Sequence, residues 1–161
     1  MQKITPFLWF DNNAEEAVNF YVSIFKDSSI GKISRYTGEG AKASGQKEGT
    51  VMTIAFKLNA QDFTAINGGP IFKFTEAISF VVNCENQEEV DHYWNKLTEG
   101  GQEVQCGWLK DKYGLSWQIV PKQLMQLMSD PDKARAGRAM QAMLQMKKID
   151  IKKIEEAADQ K

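Results

Sequence analysis

The feature that most constrains this chain is a layout it uses twice. Residues 4–25, ITPFLWFDNNAEEAVNFYVSIF, set a short apolar run before an amphipathic pattern. Residues 77–97, AISFVVNCENQEEVDHYWNKL, do the same at an offset of 72. In that register Val18, Tyr21, Val22 and Phe25 fall on Val90, Tyr93, Trp94 and Leu97, each set spaced i, i+3, i+4, i+7 along one helix face. Leu8 and Phe10 fall on Phe80 and Val82 in the preceding strands. Strands and helix faces agree in one register, which predicts a duplicated half-module rather than two unrelated strand–helix units. Two such halves, each with a sheet too small to stand alone, can pair around a shared concave site.

The rest of the chain fills in each half. Ile4–Phe10 reads as a strand, and Asn13 with Glu16 has the form of a helix cap with a reciprocal carboxylate, opening a helix that runs to Phe25. Ile30–Thr37 is a second strand, and the glycine-rich residues 38–50 read as a mobile surface loop. Val51–Leu58 and Phe63–Ile66 form an antiparallel pair across the Asn59-Ala60-Gln61-Asp62 turn, giving β-α-β-β-β. The second half starts at Ala77, caps its helix at Asn86 with Glu89, ends it at Gly100-Gly101, and adds short strands near Glu103–Cys106, Gly107–Lys110 and Leu115–Val120 before Pro121. A helical tail follows, with Ser129-Asp130-Pro131 capping one helix and Met140, Met143 and Leu144 as a narrow stripe. It offers no core of its own, so it is expected to pack on the domain or on a second subunit. The expected divisions are a first module over residues 1–69, a second over 70–122 and a helical extension over 123–161, all in one compact domain.

Composition excludes more than it assigns. At 161 residues the chain can bury a substantial core, and a net charge of −1 gives no general pull toward nucleic acid or membrane. No run of eighteen apolar residues and no basic-then-apolar leader is present, so neither a membrane span nor export is expected. Two cysteines far apart, Cys84 and Cys106, suit free thiols in a reducing cytoplasm. The lysines at 147, 148, 152 and 153 are followed at once by Glu155, Glu156 and Asp159, which marks a solvated helix face.

The usual chemical motifs are absent. No GxGxxG follows a strand, and there is no P-loop and no GxSxG elbow. The sole histidine, His92, flanks the apolar face of a helix, a poor position for a base or a metal ligand. What remains is Cys106–Gln118, with two tryptophans, a tyrosine, a thiol, charges and an amide in thirteen residues. Strand alternation turns either Trp117 or the Ser116/Gln118 pair toward a cavity, and the other outward. Asn67-Gly68-Gly69-Pro70 either lets the backbone approach something closely or makes a tight turn.

PFLWFDNNAEEAVNFY (6–21), LNAQDFTAINGGPIFKFTEAISF (58–80), GWLKDKYGLSWQIVP (107–121) and the tail AMLQMKKIDIKKIEEA (142–157) closely resemble the PhnB-like branch of the vicinal oxygen chelate superfamily. That branch carries the label "3-demethylubiquinone-9 3-methyltransferase domain". Glyoxalase I, extradiol dioxygenases, and fosfomycin and bleomycin resistance proteins share its fold. The resemblance implies an α+β fold of two tandem βαβββ modules, with a mixed sheet curled around a cleft, and a homodimer. Metal-using relatives carry a histidine in the first strand and a glutamate in the last. Here Pro6 and Gln118 stand at those positions, so neither a metal nor another cofactor is expected, and nothing resembles a glycine-rich S-adenosylmethionine loop.

The expectation is a small-molecule-binding homodimer without nucleic-acid or membrane partners. Its ligand would lie among Trp9, Phe72, Glu76, Cys106, Trp108 and Gln118. The alternative is an enzyme of the same superfamily (a lyase, isomerase, dioxygenase or methyltransferase) with Glu76 or Asp111 as base, or Cys106 as nucleophile.

Overall fold

The computed structural model describes residues 2–160, and the chain divides into two compact units, residues 1–74 and 75–161. The first unit runs β1 (Phe7–Phe10), α1 (Ala14–Ile24), β2 (Ser29–Arg35), α2 (Gly38–Ser44), β3 (Val51–Leu58) and β4 (Gln61–Asn67). Its sheet has the order β1-β4-β3-β2, with β1 parallel to β4 and the other pairs antiparallel. Helix α1 buries Ala14, Ala17, Val18, Tyr21 and Ile24. The sheet's own buried side chains, Leu8, Phe10, Ile54, Phe56, Phe63 and Ala65, share one face by alternation and register. The buried helix stripe is thus rotated from the one read in the sequence, and Val22 and Phe25 are only half-buried.

Three local expectations change. Asn13 caps α1 without a side-chain bond. The buried Asn67 does that work from the end of β4, its Oδ1 accepting from Ala14 N at 2.8 Å while its Nδ2 donates to Val51 O at 3.1 Å. Residues 38–44, read as loop, form α2, which a buried Ala41 holds in place despite two glycines. The β3–β4 turn is only two residues, with Asn59 at φ 47° and Ala60 at φ 63°, the geometry of a primed hairpin turn.

The second unit runs β5 (Ser79–Cys84), α3 (Gln87–Thr98), β6 (Gln102–Glu103), β7 (Trp108–Lys110) and β8 (Ser116–Pro121). Its sheet order, β5-β8-β7-β6, repeats the first, again with the opening strand parallel to the closing one. The expected cap forms: Asn86 Oδ1 accepts from Glu89 N at 3.0 Å, and Glu89 Oε2 reaches back to Glu85 N at 2.8 Å. Val18 and Val90 are both fully buried, but the heavier anchor of α3 is Trp94, where α1 has the half-buried Val22. Both units follow one topology and fill their interiors differently.

The tail forms α4 (Lys122–Met128), α5 (Lys133–Leu144) and α6 (Ile151–Asp159). Helix α5 starts later than the sequence suggests: Asp132 is its cap, accepting from Ala134 N at 2.9 Å, and Pro131 lies before it. Contrary to expectation these helices do have a core, built from Leu124, Leu127, Ala139, Ile149, Ile154 and Ala158, with Val120, Met143 and Met146 packed against it. Met140 and Leu144 face solvent instead.

The tail is also stitched to its own unit. Gln87 on α3 donates to Ile149 O at 3.1 Å and accepts from Ile151 N at 2.9 Å. Lys148 pairs with Asp91 at 2.7 Å. The turn before β7 donates Cys106 N to Met146 O and Gly107 N to Lys147 O, both at 2.8 Å. No helix among the described residues is long and apolar enough to cross a membrane.

Candidate functional site

In the first unit the sheet face away from the buried set carries Trp9, next to Ile66 across the β1–β4 pair. The glycines of Asn67-Gly68-Gly69-Pro70 serve close approach. A Cβ on Gly68 would lie 2.2 Å from the Trp9 ring, and Trp9 Nε1 donates to Gly69 O at 2.9 Å. Phe72 meets the indole edge-on at 4.9 Å between centroids and is itself 61% exposed. Trp9 is therefore a fixed aromatic wall with an exposed neighbour, and the structure does bring these two expected residues together.

In the second unit, alternation along β8 is resolved. Trp117 and Ile119 are buried on the side of Leu109 and Cys84, while Ser116 and Gln118 occupy the opposite face, with Gln118 half-buried and Ser116 buried. Cross-strand register adds Trp108 opposite Gln118, Lys110 opposite Ser116, and Ser79 opposite Ser116 on the parallel side. Gln118 Nε2 donates to Ser79 Oγ at 2.9 Å, which fixes the amide. Lys110 forms an ion pair with Glu76, and this partner holds the Glu76 carboxyl below its ordinary range. Ser116 is 1% exposed and its Oγ has no hydrogen-bond partner.

The candidate reactive groups fare unequally. Asp111 is 3% exposed and fully used: Oδ1 accepts from Tyr113 N at 2.9 Å and Leu115 N at 3.1 Å, and Oδ2 from Trp117 Nε1 at 2.9 Å. Its carboxylate organises the β7–β8 turn and holds Trp117. Glu76 is exposed in a turn and tied to Lys110. Cys106 is half-buried at φ 60°, in the turn rather than in a strand as expected. The second thiol, Cys84, is buried, and burial pushes its pKa up to about 12. His92 is exposed on α3, its ring 5.0 Å from that of Tyr93. Ser79 is the partner sequence reasoning missed, because strand pairing across 37 residues leaves no local pattern.

The sequence profile of the family described as 3-demethylubiquinone-9 3-methyltransferase matches residues 2–120. The chain belongs to that family. The PhnB protein of Bacillus cereus is 44% identical, with a TM-score of 0.66 over 74% of this chain and 99% of that one. A Pseudomonas aeruginosa protein, 17% identical, gives 0.60 over 75% and 98%. The fosfomycin resistance protein FosX of Listeria monocytogenes, solved with Mn(II) and sulfate, gives 0.50 at 13% identity over 75% and 91%, a likeness of fold. No curated protein matches the chain. The family profile and the 44% identical PhnB protein place it in the PhnB-like branch of the vicinal oxygen chelate superfamily. The profile ends at residue 120, so α4–α6 lie outside it.

In this PhnB-like chain the donors for a divalent metal are poor. Pro6 has no ligating side chain and its carbonyl accepts from Thr64 N at 2.9 Å. Gln118 engages Ser79 through Nε2, and its Oε1 is a neutral amide oxygen that offers a cation no anionic charge. No group of three or more His, Cys, Asp or Glu side chains among the described residues is placed to hold a metal ion. The residues present do not fit such an ion.

Proposed function

We propose that the protein binds a small organic molecule without a metal ion, on the open face of its second sheet. The observation that carries this reading is the register of Trp108, Lys110, Ser79, Ser116 and Gln118 on one face, with the amide of Gln118 already oriented. Trp108 supplies apolar area and Gln118 an acceptor oxygen, the mix of apolar wall and few fixed polar groups that small-molecule sites use. Glu76 belongs to the same face through Lys110. Trp9 with Phe72 is a second aromatic contact surface, and Cys106 flanks Trp108 in the chain.

We further propose a cytoplasmic homodimer. Exposed Phe7, Ile71, Ile78 and Val81 are apolar surface that a subunit contact would cover, and two unpaired cysteines suit a reducing compartment. A ligand that binds only the folded chain raises its melting temperature. A broad panel of planar metabolites at saturating concentration is expected to yield at least one such shift, lost in Gln118→Ala; a panel without any shift defeats the reading.

A further inference from the structure

The open face of the second sheet has one cation, and its charge is only loosely answered. Lys110 stands on β7 with about a third of its side chain exposed, and its partner Glu76 is 61% exposed in the turn before β5. Exposed ion pairs are weak and exchange readily for another anion. Directly across the β7–β8 pair lies Ser116, whose buried hydroxyl has no partner. Unpaired buried hydroxyls are rare enough in native proteins to require a reason. Cross-strand neighbours on one face sit within about 5.5 Å at Cβ, so one oxyanion can bridge both groups once the Ser116 hydroxyl, 1% exposed, is uncovered.

We infer that Lys110 and Ser116 form an oxyanion-recognition pair, that the ligand is a small molecule bearing a carboxylate, and that Glu76 is the resident counter-ion the ligand displaces. This rests on the small-molecule reading above and names its substrate class. A single ammonium matches a monoanion; a dianionic phosphate would leave a charge unanswered. The carboxylate accepts from the Lys110 ammonium and the Ser116 hydroxyl, groups that only donate or can donate there. The body of the ligand then lies along Trp108, where Gln118 Oε1 accepts from a donor on it, since Gln118 Nε2 is held by Ser79.

The test is a titration of the full chain with benzoate and with benzamide, its neutral counterpart, followed by NMR shifts of the indole N–H groups at pH 7. Benzoate is expected to bind about tenfold more tightly, with the Trp108 resonance moving. Lys110→Met should abolish that preference and Lys110→Arg restore it. Glu76→Gln should strengthen benzoate binding several-fold by removing the competitor. Ser116→Ala should weaken benzoate yet raise the melting temperature, opposite signs that a purely structural serine would not give. If both probes bind equally at Trp108, the carboxylate inference falls and the small-molecule reading stands. If neither moves Trp108, the carboxylate inference falls, and the small-molecule reading falls with it only if the metabolite panel also gives no shift. A Glu76→Gln protein that binds benzoate no better than the parent overturns the role of Glu76.

Discussion

The Trp9 indole occupies the place where a side chain at residue 68 would go. A Cβ there would sit 2.2 Å from the ring, and the ring cannot swing away without losing its bond to Gly69 O. Gly68→Ala is therefore expected to destabilise the first unit by about 1–3 kcal/mol, read as a fall in the denaturation midpoint with a changed Trp9 fluorescence. An unchanged midpoint would mean that the indole is free to move. Ser116 and Asp111 show two fates for buried polar groups close in the chain. Asp111 has both oxygens engaged, whereas the Ser116 hydroxyl has none. Both residues lie in the stretch the sequence singled out, but their roles depend on partners that alternation alone does not name. Asp111 looks like a free acid in a charged run until the Trp117 indole is folded onto it.

Among the elements, period-two alternation was enough to place β3 at Val51–Leu58 to the residue, whereas the turn after it closes over Asn59-Ala60 alone and not over residues 59–62 as read. Helix α2 was not legible, because Gly38 and Gly40 lower its helix propensity and tertiary packing of Ala41 overrides that. The tail's core was hidden for a similar reason. Its buried members come from three short segments, two from α4, Ala139 alone from α5 and three from residues 149–158, and none forms a long stripe on its own helix. Ile154 is the fully buried centre of α6 in that cluster. Ile154→Ala should cost about 2–5 kcal/mol and loosen α4–α6 before either sheet, visible as early hydrogen exchange at those helices. Exchange that rises together in sheet and tail would show that the tail has no independent weak point.

On the scale of the whole molecule, the repeat read at an offset of 72 survives as a topology used twice and not as a matched interior. Acid should separate the parts. The Lys148 ammonium holds the Asp91 carboxyl below its ordinary range against the opposing effect of burial, and Arg135 does the same for Asp130. A carboxyl with a lowered folded-state pKa contributes stability above its unfolded value, near 3.9, and loses it as pH falls through the folded value. Between neutrality and pH 4 tail protection should therefore hold, and below about pH 4 amides of the 145–150 segment should exchange faster than those of β3 and β4. Equal loss in both regions would refute the assignment of these two pairs. The main-chain bonds from Cys106 and Gly107 to Met146 and Lys147 have a consequence in time as well as space. Gly107 emerges from the ribosome 40 residues ahead of Lys147, a wait of roughly 2–8 s at ordinary elongation rates. Throughout that interval the strand that displays Trp108 has a turn without its partners, so the second half is the last part of the nascent chain to become competent.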